Sequence, residues 1–204
     1  TGPCTFDSNG NLTVCSLPAS GSGPIRPRWR RTLRYDYADR LVETLASSTN
    51  VRNRYRYDAL GRRIEKILDA AGPNPAVTKF YYADWQVLEE RNAVWVLQAS
   101  YVWGGYVDEA LSMQRAGANT YYHMDDLWNV MALSNSAGQV LERYEYDDYG
   151  RPVNPTTLAA LTGNPSAFAN PHLFQGHRYD TETGFYEYRT RYLDPRSGRF
   201  VTRD

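Results

Sequence analysis

The sequence repeats a short tyrosine-aspartate unit, and this repeat constrains the fold more than any other feature. RYDYADRLVETL begins at Arg34, RYRYDALGRRIEKI at Arg54 and RYEYDDYGRPV at Arg143. RYDTETGFYEYRTRY follows at Arg178, and a degenerate copy, FDSNGNLTV, begins at Phe6. Self-similarity of this kind indicates one supersecondary unit that is used several times.

Each unit has the pattern of a β-hairpin. Tyr35 and Tyr57 lie 22 residues apart (57 − 35), about one hairpin with its connections. An aspartate two or three positions before a glycine suits a tight turn, because the carboxylate accepts backbone N–H groups and glycine adopts positive φ. The flanking residues alternate with period two, as in half-buried strands. We therefore predict stacked hairpins, with the arginine after the glycine lying across the hairpin near the tyrosine ring or the aspartate.

The residues expected to build these units share the roles of ring, turn carboxylate, turn glycine or following arginine. They are Tyr35, Asp36, Tyr57, Asp58, Gly61, Arg62, Tyr146, Asp147, Gly150, Arg151, Tyr179, Asp180 and Gly184.

Composition supports an all-β chain and argues against several classes of protein. The 204 residues include 17 tyrosines, which favour a pleated surface with one face in water. The 23 basic and 23 acidic residues cancel, so the overall charge does not predict a nucleic-acid partner. No apolar run is long enough to span a membrane, and the first residues lack the pattern of a signal peptide.

These motifs resemble the YD repeats of the Rhs family, which includes the C subunits of Tc toxins and the shells of polymorphic bacterial toxins. Residues 121–153 are similar to the segment that leads into the Rhs repeat-associated core, and residues 170–204 resemble the core itself. The resemblance covers residues 34–204. It departs at Trp128, where the family has glycine, and at Asp39, which occupies the turn-glycine position.

The resemblance implies a fold and a function. The fold is a curved sheet that winds hairpin by hairpin into part of a shell, and the shell encloses a toxic C-terminal segment. Because a complete shell needs more hairpins than this chain supplies, we expect either a piece of a longer bacterial, secreted polypeptide or a unit whose open strand edges pair with further copies. A self-assembling extracellular fibre or tube is therefore the alternative function, and a cell-surface glycan-binding module is a weaker one.

The resemblance also bears on catalysis. Members of the family cut their own chain just after the core, with paired aspartates that share a proton. Asp204 falls where the first of them is expected, and the second would lie beyond it, so this chain by itself is not expected to be an enzyme. The residues predict no cofactor and no metal site; His123, with its neighbouring aspartates, is better explained by a turn or a cross-strand contact.

The sequence suggests three regions. Residues 1–27 form an N-terminal arm with a linker over 17–27, residues 28–120 carry YD hairpins, and residues 121–204 form the core-like region. In the arm, Cys4 and Cys15 flank a turn-like segment and are placed to form a disulfide across a hairpin, as in secreted proteins. At most one short helix is expected, near residues 155–162, with Asn154 as its N-cap.

Overall fold

The computed structural model of the protein describes residues 4–17, 29–47, 49–161 and 163–202. Most of the expected linker, and Asp204, lie outside the described residues. Within the described residues, no helix has the length and apolar character that crossing a bilayer requires.

The described residues fold into strands joined by turns and loops, with almost no helix. In order they are β1 (Thr5–Phe6), β2 (Leu12–Leu17), β3 (Trp29–Tyr35), β4 (Leu41–Ala46), β5 (Val51–Tyr57), β6 (Arg63–Leu68), β7 (Ala76–Ala83), β8 (Gln86–Arg91), β9 (Leu97–Trp103), β10 (Ala110–Arg115), β11 (Ala118–Met124), β12 (Val130–Ser134), β13 (Val140–Arg143), β14 (Glu145–Tyr146), β15 (Pro152–Val153), β16 (Arg178–Asp180), β17 (Phe185–Tyr188), β18 (Arg191–Asp194) and β19 (Arg199–Phe200). Among the residues that the structure describes, one 3-10 turn occurs, at Phe174–Gly176.

Strands β1 to β13 form one sheet of 13 strands, which we call the main sheet. Each strand pairs with the next one along the chain, and the two terminal strands, β1 and β13, do not pair with each other. The predicted all-β architecture of successive hairpins is thus confirmed, and its sheet is open. The sheet continues through the expected regional boundary at residue 120, which falls within β11.

The hairpins bend at a recurring place. The pairing register shifts between Arg34 and Tyr35, between Arg56 and Tyr57, and between Tyr81 and Tyr82, just before the turn in each case. A β-bulge of this kind bends its strand and increases the local twist. Bulges at the same end of successive hairpins therefore curve the sheet.

One face of the main sheet carries the core. Tyr101 pairs with Met113, and both side chains are buried on this face. Strands β16 to β19 form a second, four-stranded sheet, the C-terminal sheet, which covers this face. The core between the two sheets consists of two clusters of buried side chains. Tyr186 of the C-terminal sheet belongs to the cluster that contains Tyr101 and Met113, and Tyr192 belongs to the cluster that contains Leu33 and Leu41. The opposite face of the main sheet leaves Val102 and Leu111 exposed.

The segment near residues 155–162 does not form the expected helix. Asn154 does cap it, since its side-chain oxygen accepts N–H groups of Thr156 and Thr157 at 2.9 Å. The carbonyl of Asn154 accepts the N–H of Leu158 at 2.9 Å, which closes a single turn. Leu158 then has a φ of 54°, and this left-handed conformation stops propagation. The cap was recognisable from the sequence, whereas the early stop was not.

Candidate functional site

The YD turn is built by its aspartate. At Asp58, one carboxylate oxygen accepts the backbone N–H groups of Leu60 and Arg62, both at 2.9 Å. The Asp58 carbonyl accepts the N–H of Gly61 at 3.1 Å. The same pattern recurs at Asp36 and at Asp147. The aspartate thus satisfies donors that would otherwise be unpaired at the tip of each hairpin.

In the turns that an aspartate caps with its carboxylate at Asp36, Asp58, Asp125 and Asp147, the residue three positions later has positive φ. Gly61 has a φ of 84° and Gly150 a φ of 83°. Asp39 and Trp128, the two departures from the family pattern, take the same conformation with φ of 58° and 65°. Turn geometry is therefore kept without glycine at both places.

The tyrosine that precedes the aspartate binds the preceding hairpin. The Tyr57 hydroxyl donates to the Leu41 carbonyl at 2.7 Å, and the Tyr35 hydroxyl donates to the Leu12 carbonyl at 2.8 Å. Tyr146 makes the equivalent bond. Each ring packs against the core while its hydroxyl satisfies a backbone carbonyl.

Two further residues have this role although the sequence pattern did not identify them. The Tyr82 hydroxyl donates to the Arg63 carbonyl, and Trp103 Nε1 donates to the Val87 carbonyl, both at 2.8 Å. Tyr82 precedes its turn by two residues, and Trp103 replaces the tyrosine, so neither matches Tyr-Asp. The sequence signal that would have identified them is an aromatic residue with a hydrogen-bond donor at or next to the end of the first strand of a predicted hairpin.

The arginine of the unit binds forward along the chain. Arg62 Nε contacts its own turn aspartate, Asp58, at 2.7 Å, and Arg62 Nη1 donates to the Asp84 carbonyl in the next turn at 2.7 Å. Its guanidinium also lies 5.2 Å from the centre of the Tyr82 ring. Arg40 repeats this arrangement with Asp36 and with the Asp58 carbonyl. The arginine therefore lies near the aspartate of its own hairpin, but the ring it covers belongs to the next hairpin.

These contacts shift the acidity of the turn carboxylates. Burial acts to raise the pKa of Asp58, but hydrogen bonds from Arg62 and from backbone N–H groups hold this pKa below its ordinary value. The pKa of Asp36 is lowered for the same reasons, with Arg40 as the partner. Both aspartates therefore remain ionised, and charge-assisted bonding, at neutral pH.

The repeat unit that begins at Arg143 packs against the C-terminal part of the chain. The Gly150 carbonyl accepts a hydrogen bond from the buried Tyr186 hydroxyl at 2.8 Å. A Cβ on Gly150 would overlap the ring of Phe174. The backbone N–H of Arg151 closes the turn on Asp147 at 2.9 Å. This hairpin (β14 and β15) is thereby fixed against the loop that precedes the C-terminal sheet.

In the repeat unit that begins at Arg178, the aspartate side chain does not cap its own turn. Asp180 is fully buried, and its carboxylate points to the main sheet instead of capping its own turn. Its carbonyl accepts the N–H of Gly184, whose φ is 72°. Tyr179 packs 5.0 Å from the ring of Tyr186. The turn is therefore closed by the backbone, and the carboxylate is available for another role.

That role is to pair with a buried arginine of the main sheet. Arg63 is fully buried, forms a bidentate pair with Asp180, and contacts Glu187 at 2.6 Å through Nη2. Lys66 Nζ lies 3.1 Å from Asp180 and 3.3 Å from Glu182. The Nε of Arg63 has no partner among the described residues. Two cations of β6 thus meet three carboxylates at the C-terminal sheet.

A second buried group lies beside the first. Glu90 contacts Arg178 at 2.7 Å and Arg115 at 2.9 Å, and it accepts the Tyr101 hydroxyl at 2.7 Å. Arg178 belongs to the C-terminal sheet and covers the Phe80 ring at 4.8 Å. The buried ion pairs therefore join the two sheets at several points.

The network sets the protonation of its members. Burial acts to raise the pKa of Asp180, but Arg63 and Lys66 hold this pKa below its ordinary value. Burial raises the pKa of Glu187, and the Asp180 charge adds to this effect against the opposing attraction of Arg63. The pKa values of the two carboxylates shift in opposite directions, because the cations outweigh burial at Asp180 whereas burial outweighs them at Glu187.

The remaining candidate residues lie elsewhere. Thr5 pairs with Val14, so the next positions outward, Cys4 and Cys15, are opposite one another in the ladder. The side chain of Cys15 lies outside the described residues, so the disulfide stays a prediction, which thiol counting by mass spectrometry would test. No group of three or more potential metal ligands occurs in the described part of the chain. His123 Nε2 lies 2.8 Å from the Ser134 hydroxyl, a cross-strand contact.

The chain is similar to known toxins over nearly all of its length. It is 34% identical to the tRNA3(Ser)-specific nuclease WapA of Bacillus spizizenii over 203 residues, which is 98% of this chain and 8% of that protein. It is 30% identical to toxin protein Tse5 of Pseudomonas aeruginosa over 98% of this chain and 16% of that protein. The chain thus spans less than a fifth of the length of these relatives.

Solved structures support the same fold. A structure of the Photorhabdus luminescens Tc holotoxin pore matches 98% of this chain and 12% of its own, with a TM-score of 0.63 and 18% identity. A crystal structure of TcdB2-TccC3 matches the same share with a TM-score of 0.62 and 19% identity. The family model of the teneurin YD-shell matches residues 5–204. The chain therefore belongs to the YD-shell family, as its tyrosine-aspartate turns indicate.

Proposed function

We propose that this chain is a wall segment of an Rhs-type shell that carries a toxin. The observation that supports this most directly is the two-way bonding of the YD turns. Tyr35 and Tyr57 bind the hairpin before them, and Arg40 and Arg62 bind the turn after theirs, which joins successive hairpins into one continuous wall. Such a unit gains stability from its neighbours, as repeat architectures do.

The similarity to toxins supports a carrier role. The relatives are named as a nuclease and a toxin, and this chain matches only a small part of each. In this proposal the toxic activity belongs to polypeptide outside the matched segment, and residues 1–204 supply the container. Their partners are the remainder of a larger Rhs polypeptide and its toxin cargo, in a protein that bacteria secrete.

Self-cleavage is a separate part of the proposal. Asp204 would supply one of two carboxylates, and a second would come from residues that follow it. A chain extended past Asp204 should then be cut after the core, and Asp204→Asn should leave it intact. Mass spectrometry of the extended chain tests this, and an uncut wild-type chain would exclude self-cleavage without affecting the shell.

The described edge strand β13 is partly covered, which favours a wall over an open polymer. The Ala167 N–H donates to Glu142 of this strand at 2.8 Å, and the Ser166 hydroxyl donates to the same carboxylate at 2.6 Å. Covering an edge with a loop limits its pairing with other chains.

Imaging and proteolysis of the whole gene product test the proposal. We expect closed hollow particles whose cargo resists trypsin. Replacing both arginines that bind the next turn, Arg40→Gln with Arg62→Gln, should make the cargo sensitive to trypsin, because their bonds to the Asp58 and Asp84 carbonyls are lost and the wall is weakened. Arg56→Gln is the matched control, since Arg56 is exposed and pairs with Glu65 on its own hairpin. Filaments would support the self-assembling alternative instead, and dilute monomers with unprotected cargo would contradict both.

A further inference from the structure

The loop of residues 170–177, which we call the junction loop, joins the two sheets. Its Leu173 is fully buried, and the Leu173 carbonyl accepts the N–H of Val130 in β12 at 3.1 Å. The N–H of Gln175 donates to the side chain of Asn129 at 2.9 Å. A Cβ on Gly176 would overlap the backbone of Asp108, so the loop is tightly docked on the main sheet.

Two of the three histidines of the chain lie in this loop. His172 is 3% exposed and meets the rings of Tyr101 and Trp103 edge-on, at 5.1 and 5.0 Å. Its Nδ1 lies 3.1 Å from the Gly176 carbonyl, which can only accept, so Nδ1 carries the proton of a neutral ring. His177 is 9% exposed, and its ring lies 3.6 Å from that of Tyr188.

The groups that face the histidines give little support to a positive charge. Arg178 faces His172 from β16, and Glu90 from β8 is already paired with Arg178 and Arg115. His177 Nδ1 is 3.9 Å from Asp108, whose carboxylate is bound by Arg189. Burial, with Arg178, lowers the pKa of His172 to about 3. Burial also lowers the pKa of His177 to about 4, with Arg189 adding to this effect against Asp108.

Both histidines line one cavity between the sheets. Arg178, Glu187, Trp103 and the half-exposed Trp85 line it as well. Because Trp85 is only partly buried, the cavity lining includes protein surface, where protons can enter when the interface loosens.

We propose that the junction loop is an acid-released latch, in which protonation of His172 and His177 separates the C-terminal sheet from the main sheet. In the closed state both rings are neutral and buried. In the open state they meet water, where a histidine has a pKa of about 6.5. Acid therefore favours the open state.

The expected size follows from linkage. Between pH 7.5 and 5.5, a histidine that is neutral when closed and ordinary when open raises the opening constant about tenfold. Two histidines raise it about 100-fold. Glu187 acts in the opposite direction, because its raised pKa in the closed state makes proton uptake favour closure. We therefore expect a wild-type increase between about tenfold and 100-fold.

Hydrogen exchange measured by mass spectrometry on the full chain tests the latch. Protection factors, corrected for the pH dependence of the chemical exchange rate, should fall at pH 5.5 in residues 170–188. They should remain high in strands β5 to β8, whose backbone groups are bonded within the main sheet. His172→Asn and His177→Gln should each remove about a tenfold share, and the double variant should lose the acid response. Glu187→Gln should increase the acid response, because the opposing proton uptake of Glu187 is removed. His123→Gln, on the open face, is the matched control and should behave as wild type.

An imidazole NMR titration of the wild-type chain provides a second readout that does not depend on any variant. Neutral His172 and His177 rings in the closed state at pH 5.5 are expected. Protection that is equal at pH 7.5 and 5.5, an acid response that survives in the double variant, or rings that protonate without opening would each overturn the latch. These outcomes concern the junction within this chain and are independent of whether a shell forms.

Discussion

At the scale of single residues, the conformation at the third position after the turn aspartate explains which substitutions the repeat tolerates. Gly61 and Gly150 share φ values of 84° and 83° but differ in surroundings. A Cβ on Gly61 would meet nothing within 4 Å, whereas one on Gly150 would meet Phe174. Backbone strain and side-chain overlap can therefore be measured separately.

Gly61→Ala should reduce the free energy of unfolding by about 1–2 kcal/mol, because alanine resists positive φ. Gly150→Ala should cost about 1–3 kcal/mol more, because the Phe174 ring must also move. Urea unfolding of both variants gives the difference. Equal losses would mean that Phe174 yields without cost and that the contact at Gly150 is unimportant.

A second residue-scale prediction concerns the buried arginine. Arg63→Met should destabilise the protein by about 3–5 kcal/mol, because Asp180 and Glu187 would lose the cation that compensates them. Arg56→Met, on the exposed side of the same hairpin, should change stability by about 0.5 kcal/mol or less. Thermal melts of the two variants provide the comparison. A small effect at Arg63 would show that water or proton uptake neutralises the two carboxylates.

At the scale of elements, the hairpins are held together by side chains as well as by the backbone ladder. The hydroxyl of Tyr57 contacts the Leu41 carbonyl and also lies 2.9 Å from the Tyr192 hydroxyl. It therefore joins a hairpin to its predecessor and to the C-terminal sheet at once. The alternation of the strands predicted the hairpins, but this second level of bonding required the register that the bulges impose.

Tyr57→Phe should reduce the free energy of unfolding by about 1–3 kcal/mol, because the substitution leaves a buried carbonyl without a donor. Tyr37→Phe is the control, since Tyr37 is 94% exposed at the tip of its turn. Tyr37→Phe should not change the free energy of unfolding measurably. Urea midpoints of the two variants check this, and equal midpoints would show that the hydroxyl bond contributes nothing net.

At the scale of the whole molecule, stability depends on charges buried between the two sheets. Asp180 and Glu90 have pKa values held below the ordinary range, although burial alone would raise them, because arginines face them. A carboxylate whose pKa is lower in the folded state contributes stability above its unfolded pKa of about 4 and loses it as pH falls. The pairs are also shielded from salt, since they are buried.

The protein should therefore lose stability steeply between about pH 5 and pH 3, on top of the milder loss that the junction histidines cause from about pH 6.5 downward. Calorimetry over this range measures the loss. At pH 7, about 0.5 M sodium chloride should lower the melting temperature little, because buried pairs are screened much less than exposed ones. A strong salt effect would instead assign the stability to exposed ion pairs such as Arg56 with Glu65.

The hairpins, their turns and the family could be predicted from the sequence, because these depend on neighbours close in the chain: period-two alternation, a carboxylate that caps its own turn, and a residue with positive φ. Asp39 and Trp128 keep this geometry although they break the glycine pattern. The sequence pattern did not predict that the Asp180 carboxylate leaves its turn to pair with Arg63, 117 residues away, or that His172 is buried between the sheets. The reason is physical: the partner of a buried charge is chosen by how two sheets pack, and that choice leaves no local pattern in the chain.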